Sequence, residues 1–287
     1  MNYLAPTTVE EATQLLSQTP SATVFAGATD VIPQIRAGRP EPETLVDLKK
    51  IDRLVSVASG DSGWTIGAAV PTVRLTENAE LGQEFPGLVE AAGLIGSDQI
   101  QSRCSLGGNL CNASPAADSV PALIVNEARA VIASGSGTRT VPVEEVVTGP
   151  GSTSLAEDEF VVELVLGHPA PNTSDAYFRL IPRTEMDIAV VGAGARVTLD
   201  ENGNCASARI ALGAVAPTAV RVPDAEAALA GQPINDETLA AVAEAASAAC
   251  NPIDDKRGTV AYRRQVAGVL AKRAVKAAAE RAAQGAK

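Results

Sequence analysis

Apolar and polar residues alternate along this chain in short blocks of two kinds, one with the period of a strand and one with the period of a helix. Thr23 to Phe25, Thr44 to Leu48, Leu54 to Ala58, Trp64 to Val70, Ala130 to Ala133 and Phe160 to Leu166 are β-forming runs closed off by turn residues, and they read as strands. Ser59-Gly60-Asp61-Ser62-Gly63 joins two of them as a hairpin. Ala12, Leu15 and Leu16 share one helix face behind Thr7 and Glu10, which stand at capping-box spacing. A further helix begins near Thr72, and another spans Glu84 to Gly96 with Phe85, Leu88, Val89, Ala92 and Ile95 on one side. Val120 to Ala128 gives one more.

The pattern changes after Gly167-His168-Pro169-Ala170-Pro171-Asn172-Thr173, a linker-like stretch. Strands are expected at Ala176 to Ile181, Ile188 to Leu199 and Ala206 to Val215, with a hairpin turn over Asp200 to Gly203 and helices from Pro223, Asp236 and Thr259. The expectation is therefore an α+β protein. A small α/β subdomain (about 1–52) and a larger one (53–172) precede a C-terminal antiparallel sheet covered by helices (173–287).

Composition narrows the functions open to such a fold. The 287 residues are 46% hydrophobic and 20% charged, enough for full cores without disulfide staples. A net charge of −11 repels nucleic acid and anionic membranes, and 3% aromatic content leaves few platforms for base stacking. No apolar run approaches a membrane span, and Met1 to Glu11 has neither a basic nor an apolar leader region, so the cytoplasm is the expected compartment. Cys104, Cys111, Cys205 and Cys250 lack the spacing of metal ligands, and His168, the sole histidine, precedes Pro169 in a loop. A metal cluster and a Ser-His-Asp triad are both unexpected on this chain. Arg263, Arg264, Lys272 and Arg273 form a basic group in the last helix, expected as a solvated face, with contact to an acidic neighbour as the alternative.

Two glycine-bearing stretches carry the candidate chemistry. In Phe25-Ala26-Gly27-Ala28-Thr29-Asp30 a β-run ends in small residues before Val31-Ile32-Pro33, the strand, turn and short-helix order that aims backbone N–H groups at an anion. In Ser105-Leu106-Gly107-Gly108-Asn109 the adjacent glycines suggest positive φ and close approach of a ligand to the backbone, with a plain Gly-Gly turn as the alternative. Neither stretch is a Walker motif, and Gly192-Ala193-Gly194 lacks the third glycine of the dinucleotide fingerprint.

These two loops, together with Asp98-Gln99-Ile100, Ser114-Pro115-Ala116-Ala117-Asp118 and Arg183-Thr184-Glu185-Met186-Asp187-Ile188-Ala189, resemble the FAD-binding medium subunit of molybdenum hydroxylases. That family includes the flavoprotein subunits of xanthine dehydrogenase and aerobic carbon monoxide dehydrogenase, and the resemblance covers nearly the whole chain. In it, loops of the types Ala-Gly-Gly-Thr-Asp and Thr-Ile-Gly-Gly-Asn hold the FAD pyrophosphate. The resemblance therefore implies that Phe25, Ala26, Gly27, Ala28, Thr29 and Asp30, with Ser105, Leu106, Gly107, Gly108 and Asn109, bind FAD. It also makes Asp118 the flavin-contacting acid, with a helix N-cap as its structural alternative, and sets Arg179 where relatives often have Lys. Two departures stand out: Ala28 replaces a common Gly, which would strain the loop if φ is positive there, and Cys104-Ser105-Leu106 replaces Gly-Thr-Ile.

By the same resemblance, a large partner subunit carries a molybdopterin-type molybdenum cofactor and hydroxylates the substrate. A small partner subunit carries two [2Fe–2S] clusters, and the FAD here passes electrons to NAD or another acceptor in a dimer of heterotrimers. No catalytic base or metal ligand is expected on this chain. A flavin-free scaffold and a free-standing flavin reductase or oxidase on the same plan remain as alternatives.

Overall fold

The computed structural model describes residues 1–19 and 21–285. Its first sheet is parallel, with β1 (Asn2–Leu4), β2 (Ala22–Phe25) and β3 (Thr44–Asp47) in the order β1-β3-β2. Parallel neighbours need crossover connections. Helices α1 (Val9–Gln18), between β1 and β2, and α2 (Val31–Arg36), between β2 and β3, supply them. The cap of α1 lies one residue later than its sequence suggests: the Thr8 hydroxyl accepts from Glu11 N, while Thr7 N donates to the Glu11 carboxylate.

The second sheet is antiparallel, ordered β4-β5-β10-β6-β7. Its hairpin β4 (Val57–Gly60) and β5 (Gly63–Gly67) is shorter than its apolar runs, because Leu54 and Val55 belong to a 3-10 turn over Asp52–Val55. Five short helices follow: α3 (Thr72–Thr76), α4 (Ala79–Glu84), α5 (Pro86–Gly93), α6 (Asp98–Gln101) and α7 (Leu106–Cys111). The single helix expected over Glu84 to Gly96 is broken because Pro86 pushes Phe85 out of the helical region, to φ −132° and ψ 60°, and then itself opens α5. The wholly buried α8 (Ser119–Val125) precedes the hairpin β6 (Arg129–Ser134) and β7 (Gly137–Pro142). The small ladder β8 (Val147–Gly149) and β9 (Ser152–Thr153) leads to the central strand β10 (Phe160–Leu166).

The third sheet, β11 (Thr173–Leu180), β12 (Val191–Leu199), β13 (Cys205–Gly213) and β14 (Val220–Arg221), is an antiparallel meander. Helices α9 (Pro223–Leu229), α10 (Asp236–Ala248) and α11 (Val260–Gly285) cover it. Ala267, Ala271, Ala274 and Ala278 are fully buried, so small side chains let α11 lie close on the sheet. Of the basic group on α11, Arg264 and Arg273 are exposed as expected, but Arg263 is buried. Its guanidinium donates to the carbonyls of Val190 and Ala214 and pairs with Asp255 at 2.7 Å. A buried charge must be paired and hydrogen-bonded in this way to be tolerated.

The second and third sheets are tied through α5. This helix has no side-chain cap of its own, and the buried Asp175 of β11 accepts from the N–H groups of Gly87 (2.9 Å) and Leu88 (3.0 Å) instead. Gly87 has to be glycine, since a Cβ there would lie 2.7 Å from the Ala176 backbone. Arg281 of α11 completes the tie by pairing with Glu90 and donating to the Asp175 carbonyl. Glycines also let α8 sit on β12 and β13: a Cβ at Gly194 or Gly213 would come within 3.1 Å of Pro121. At Gly192 the missing Cβ makes room for the Tyr177 hydroxyl, so the Gly192-Ala193-Gly194 stretch is a packing device in a strand.

Candidate cofactor cleft

The first loop leaves β2 at Phe25 and turns at Ala28, whose φ of 60° is left-handed. The strain foreseen for an alanine at that position is therefore present. From Gly27 to Val31 five successive backbone N–H groups have no acceptor among the described residues. Such a run of free donors can bind an anion as a backbone nest. Asp30 begins α2 without a side-chain cap bond, and burial at the cleft raises its carboxyl above the usual range.

The second loop is a helix start. Ser105 is the N-cap of α7 and its hydroxyl accepts from Gly108 N at 3.1 Å. Gly107 and Gly108 therefore sit in the first turn, and neither adopts positive φ. The two differ in what they face. A Cβ on Gly107 would meet Ala68 O at 2.5 Å, so this glycine serves close packing, whereas one on Gly108 would meet only the Ser105 hydroxyl at 3.1 Å. Asn109 continues the helix and caps the next one: its Oδ1 accepts from Ser119 Oγ at 2.6 Å and Ser119 N at 3.3 Å. Gln34 on α2 donates to Asn112 at 2.9 Å and so ties the two loops together.

Between the loops lies a cleft of about 460 Å³ that brings together Phe25, Ala26, Gly27, Ala28, Thr29, Asp30, Ser105, Gly108 and Asn109. Its far wall is the segment from Thr153 to Glu159, which no sequence signal marked. Thr29, Asp30, Asn109 and Asn112 also line a second lobe of about 360 Å³, which runs to Arg183, Met186 and Asp187. Through Ser114, Ala116, Ile188 and Arg257 that lobe adjoins a more apolar cavity of about 440 Å³. Gly107 lines only a small apolar recess with Phe25, Leu155 and Phe160, and Leu106 is core.

Asp118 and Arg179 lie outside this lining. Both are nearly buried and pair at 2.7 Å, and the Tyr177 hydroxyl donates to the other Asp118 oxygen at 2.9 Å. Burial pushes the Asp118 carboxyl up to about 6 against the opposing pull of Arg179 and Tyr177. Asp118 does stand at the start of α8, yet with helical backbone and no side-chain cap bond; Asn109 serves the α8 N–H instead. Linked as Asn109, Ser119, Asp118 and Arg179, these residues connect the second loop to the third sheet.

An elongated groove with an open nest at one end and apolar surface at the other suits a flavin dinucleotide, whose pyrophosphate needs donors and whose rings need apolar walls. His168, at the surface, donates from Nε2 to the Gly60 carbonyl and meets the Glu84 carboxylate through Nδ1, and it lines none of these cavities. Among the described residues no group of His, Cys, Asp or Glu is arranged to hold a metal, and all four cysteines are free. No described helix is long and apolar enough to cross a membrane.

A family model described as the FAD binding domain in molybdopterin dehydrogenase matches residues 1–169, and one described as the CO dehydrogenase flavoprotein C-terminal domain matches residues 176–278. The chain is 36% identical over 283 residues to the carbon monoxide dehydrogenase medium chain of Hydrogenophaga pseudoflava, covering 98% of each. To the xanthine dehydrogenase FAD-binding subunit of Escherichia coli O157:H7 it is 32% identical over 276 residues, 96% of this chain and 94% of the relative. A solved carbon monoxide dehydrogenase from Hydrogenophaga pseudoflava, lacking the Mo-pyranopterin moiety, superposes with a TM-score of 0.94 at 35% identity over 98% of both chains. Quinoline 2-oxidoreductase from Pseudomonas putida 86 does so at 0.91 and 28% identity, over 100% of this chain and 98% of the other.

Proposed function

This chain belongs to the FAD-binding medium subunits of the molybdenum hydroxylase family, and from that premise we propose that it passes electrons from [2Fe–2S] clusters of a small partner subunit, through its FAD, to NAD or another acceptor. A large molybdenum subunit completes the unit in this reading, as a dimer of heterotrimers in the cytoplasm. Residues 1–172 form the FAD-binding part, with subdomains of about 1–52 and 53–172, and residues 173–287 the C-terminal part. The observation that carries the reading is the open run of N–H groups from Gly27 to Val31 facing the capped start of α7 across one cleft.

The free N–H groups of the first loop, with Ser105, Gly108 and Asn109 opposite, hold the pyrophosphate. Asp118 and Arg179 act from behind, fixing Ser119 and Asn109 in place. When bound, FAD supplies the exchange between one-electron donors and a two-electron acceptor, chemistry that no side chain here provides. The protein orients the cofactor and keeps the second lobe open toward Arg183 and Met186.

The purified chain is expected to carry one FAD and to reduce an artificial dye from NADH, yet to leave purines, aromatic compounds and aldehydes untouched. Substrate hydroxylation by this chain alone would defeat the assignment. In the assembled complex, flavin absorbance that stays oxidised while substrate reduces the iron–sulfur clusters would remove FAD from the electron path.

A further inference from the structure

The carbonyl oxygens of the first loop are held as deliberately as its N–H groups are left free. Lys49, just past β3, donates from Nζ to the Ala26 carbonyl at 2.7 Å and to Asp47 Oδ1 at 2.6 Å, and its ammonium lies 4.6 Å from the centre of the Phe25 ring. Tyr3 donates to the other Asp47 oxygen at 2.7 Å, fixing the carboxylate that steers Lys49. Arg103, two residues before the Ser105 cap, donates from Nε to the Gly27 carbonyl at 3.2 Å. Two successive carbonyls are thus each taken by a basic side chain from a different part of the chain. Neither Lys49 nor Arg103 lines the cleft.

In a trans peptide the C=O and the following N–H point in opposite directions. Pulling the Ala26 and Gly27 carbonyls backward therefore turns the N–H groups of Gly27 and Ala28 toward the cleft that both residues line. The same two side chains place positive charge behind an anion site in a protein of net charge −11. We propose that Lys49 and Arg103 are positioning residues for the cofactor's pyrophosphate, holding the loop's donors in register and offsetting the field of the surrounding carboxylates. The proposal rests on the assignment of the pyrophosphate to this loop.

The test is FAD affinity of the full chain for wild type, Lys49→Met, Arg103→Gln and the double variant, each at low and high salt, with riboflavin as a neutral ligand. Each single change should weaken FAD binding about tenfold and the double about a hundredfold. The fall in FAD affinity with added salt should become shallower, and riboflavin affinity should not move. Lys49→Arg should restore most of the FAD affinity. Equal losses for FAD and riboflavin, or an unchanged salt dependence, would mean that these residues only support the fold and would overturn the proposal. A wild-type chain that binds FAD no better than riboflavin would instead sink the pyrophosphate assignment itself, so the two failures are distinct. The melting temperature of each flavin-free variant, close to wild type for Arg103→Gln because that side chain is exposed, separates unfolding from ligand loss.

Discussion

Gly107 and Gly108 are neighbours in one helical turn, and substituting each in turn separates the cofactor from the core. An alanine at Gly107 would put its Cβ 2.5 Å from Ala68 O, 2.6 Å from Ala68 Cβ and 2.8 Å from Ala68 Cα. These are atoms at the end of a buried strand and cannot swing aside, so overpacking should cost ~1–3 kcal/mol. At Gly108 the only neighbour is the Ser105 hydroxyl at 3.1 Å, and φ is not positive, so no left-handed strain arises. Gly108→Ala should gain up to ~1 kcal/mol of helix propensity, offset in part by the shift of Ser105, and leave flavin-free stability within ~1 kcal/mol of wild type. Gly108→Val adds an isopropyl group to the cleft, and about 3 kcal/mol of lost binding corresponds to two decades in FAD affinity. FAD content by absorbance, FAD affinity by fluorescence and flavin-free melting temperature should be measured for all three. Gly107→Ala should lower the melting temperature by several degrees, whereas Gly108→Val should lose FAD with little thermal change. A Gly108→Val protein that keeps stoichiometric FAD at wild-type affinity would show that this wall of the cleft does not face the cofactor. Gly135→Val is the control, because nothing lies within 4 Å of a Cβ there and its φ is ordinary.

Ala28→Gly should raise flavin-free stability by ~0.5–1 kcal/mol in chemical denaturation, since glycine relieves the left-handed strain at φ 60° and returns part of that gain as unfolded-state entropy. Asp175→Ala should lower stability by ~3–5 kcal/mol, because the N–H groups of Gly87 and Leu88 and the Asn126 amide would lose a charged acceptor in a buried site; a loss below ~1 kcal/mol would argue that water replaces it. Burial raises the Asp175 carboxyl to about 6, above the ~3.9 of an unfolded aspartate, so the stability from this proton is complete below that value and fades as pH climbs through about 6. The margin of wild type over Asp175→Asn, followed by denaturation from acid to neutral pH, should therefore shrink as pH rises; a widening margin would reverse the sign of the shift.

Much of the fold was legible because its signals are local. The run Phe160 to Leu166 is a strand to the residue, and Pro223, Asp236 and the segment after Thr259 do open helices. Both loops of the candidate site were visible as glycine-bearing stretches, and the cleft gathers nine of their eleven named residues. What glycine means at a given position was less legible. Either positive φ or close approach can call for it, and at Gly107 the approaching group, Ala68, is remote in sequence. The same holds for the burial of Arg263, whose acceptors are the carbonyls of Val190 and Ala214, and for Asp118, whose partners Tyr177 and Arg179 come from another sheet. Lys49 and Arg103 carry no local signature, because a side chain that holds a distant carbonyl leaves no pattern around itself. The break at Phe85-Pro86, by contrast, was written in the sequence and was overridden by the apolar stripe that continues across it.

Because the acceptor for the first turn of α5 is supplied by Asp175, well downstream, the cap of this helix can form only after β11 has been made. Until β11 is laid against them, the donors of Gly87 and Leu88 have only water as a partner. Arg281, near the end of α11, arrives later still to pair with Glu90 on the same helix. A helix made late thus locks one made early, and the contacts that join the second sheet to the third close only once both are present.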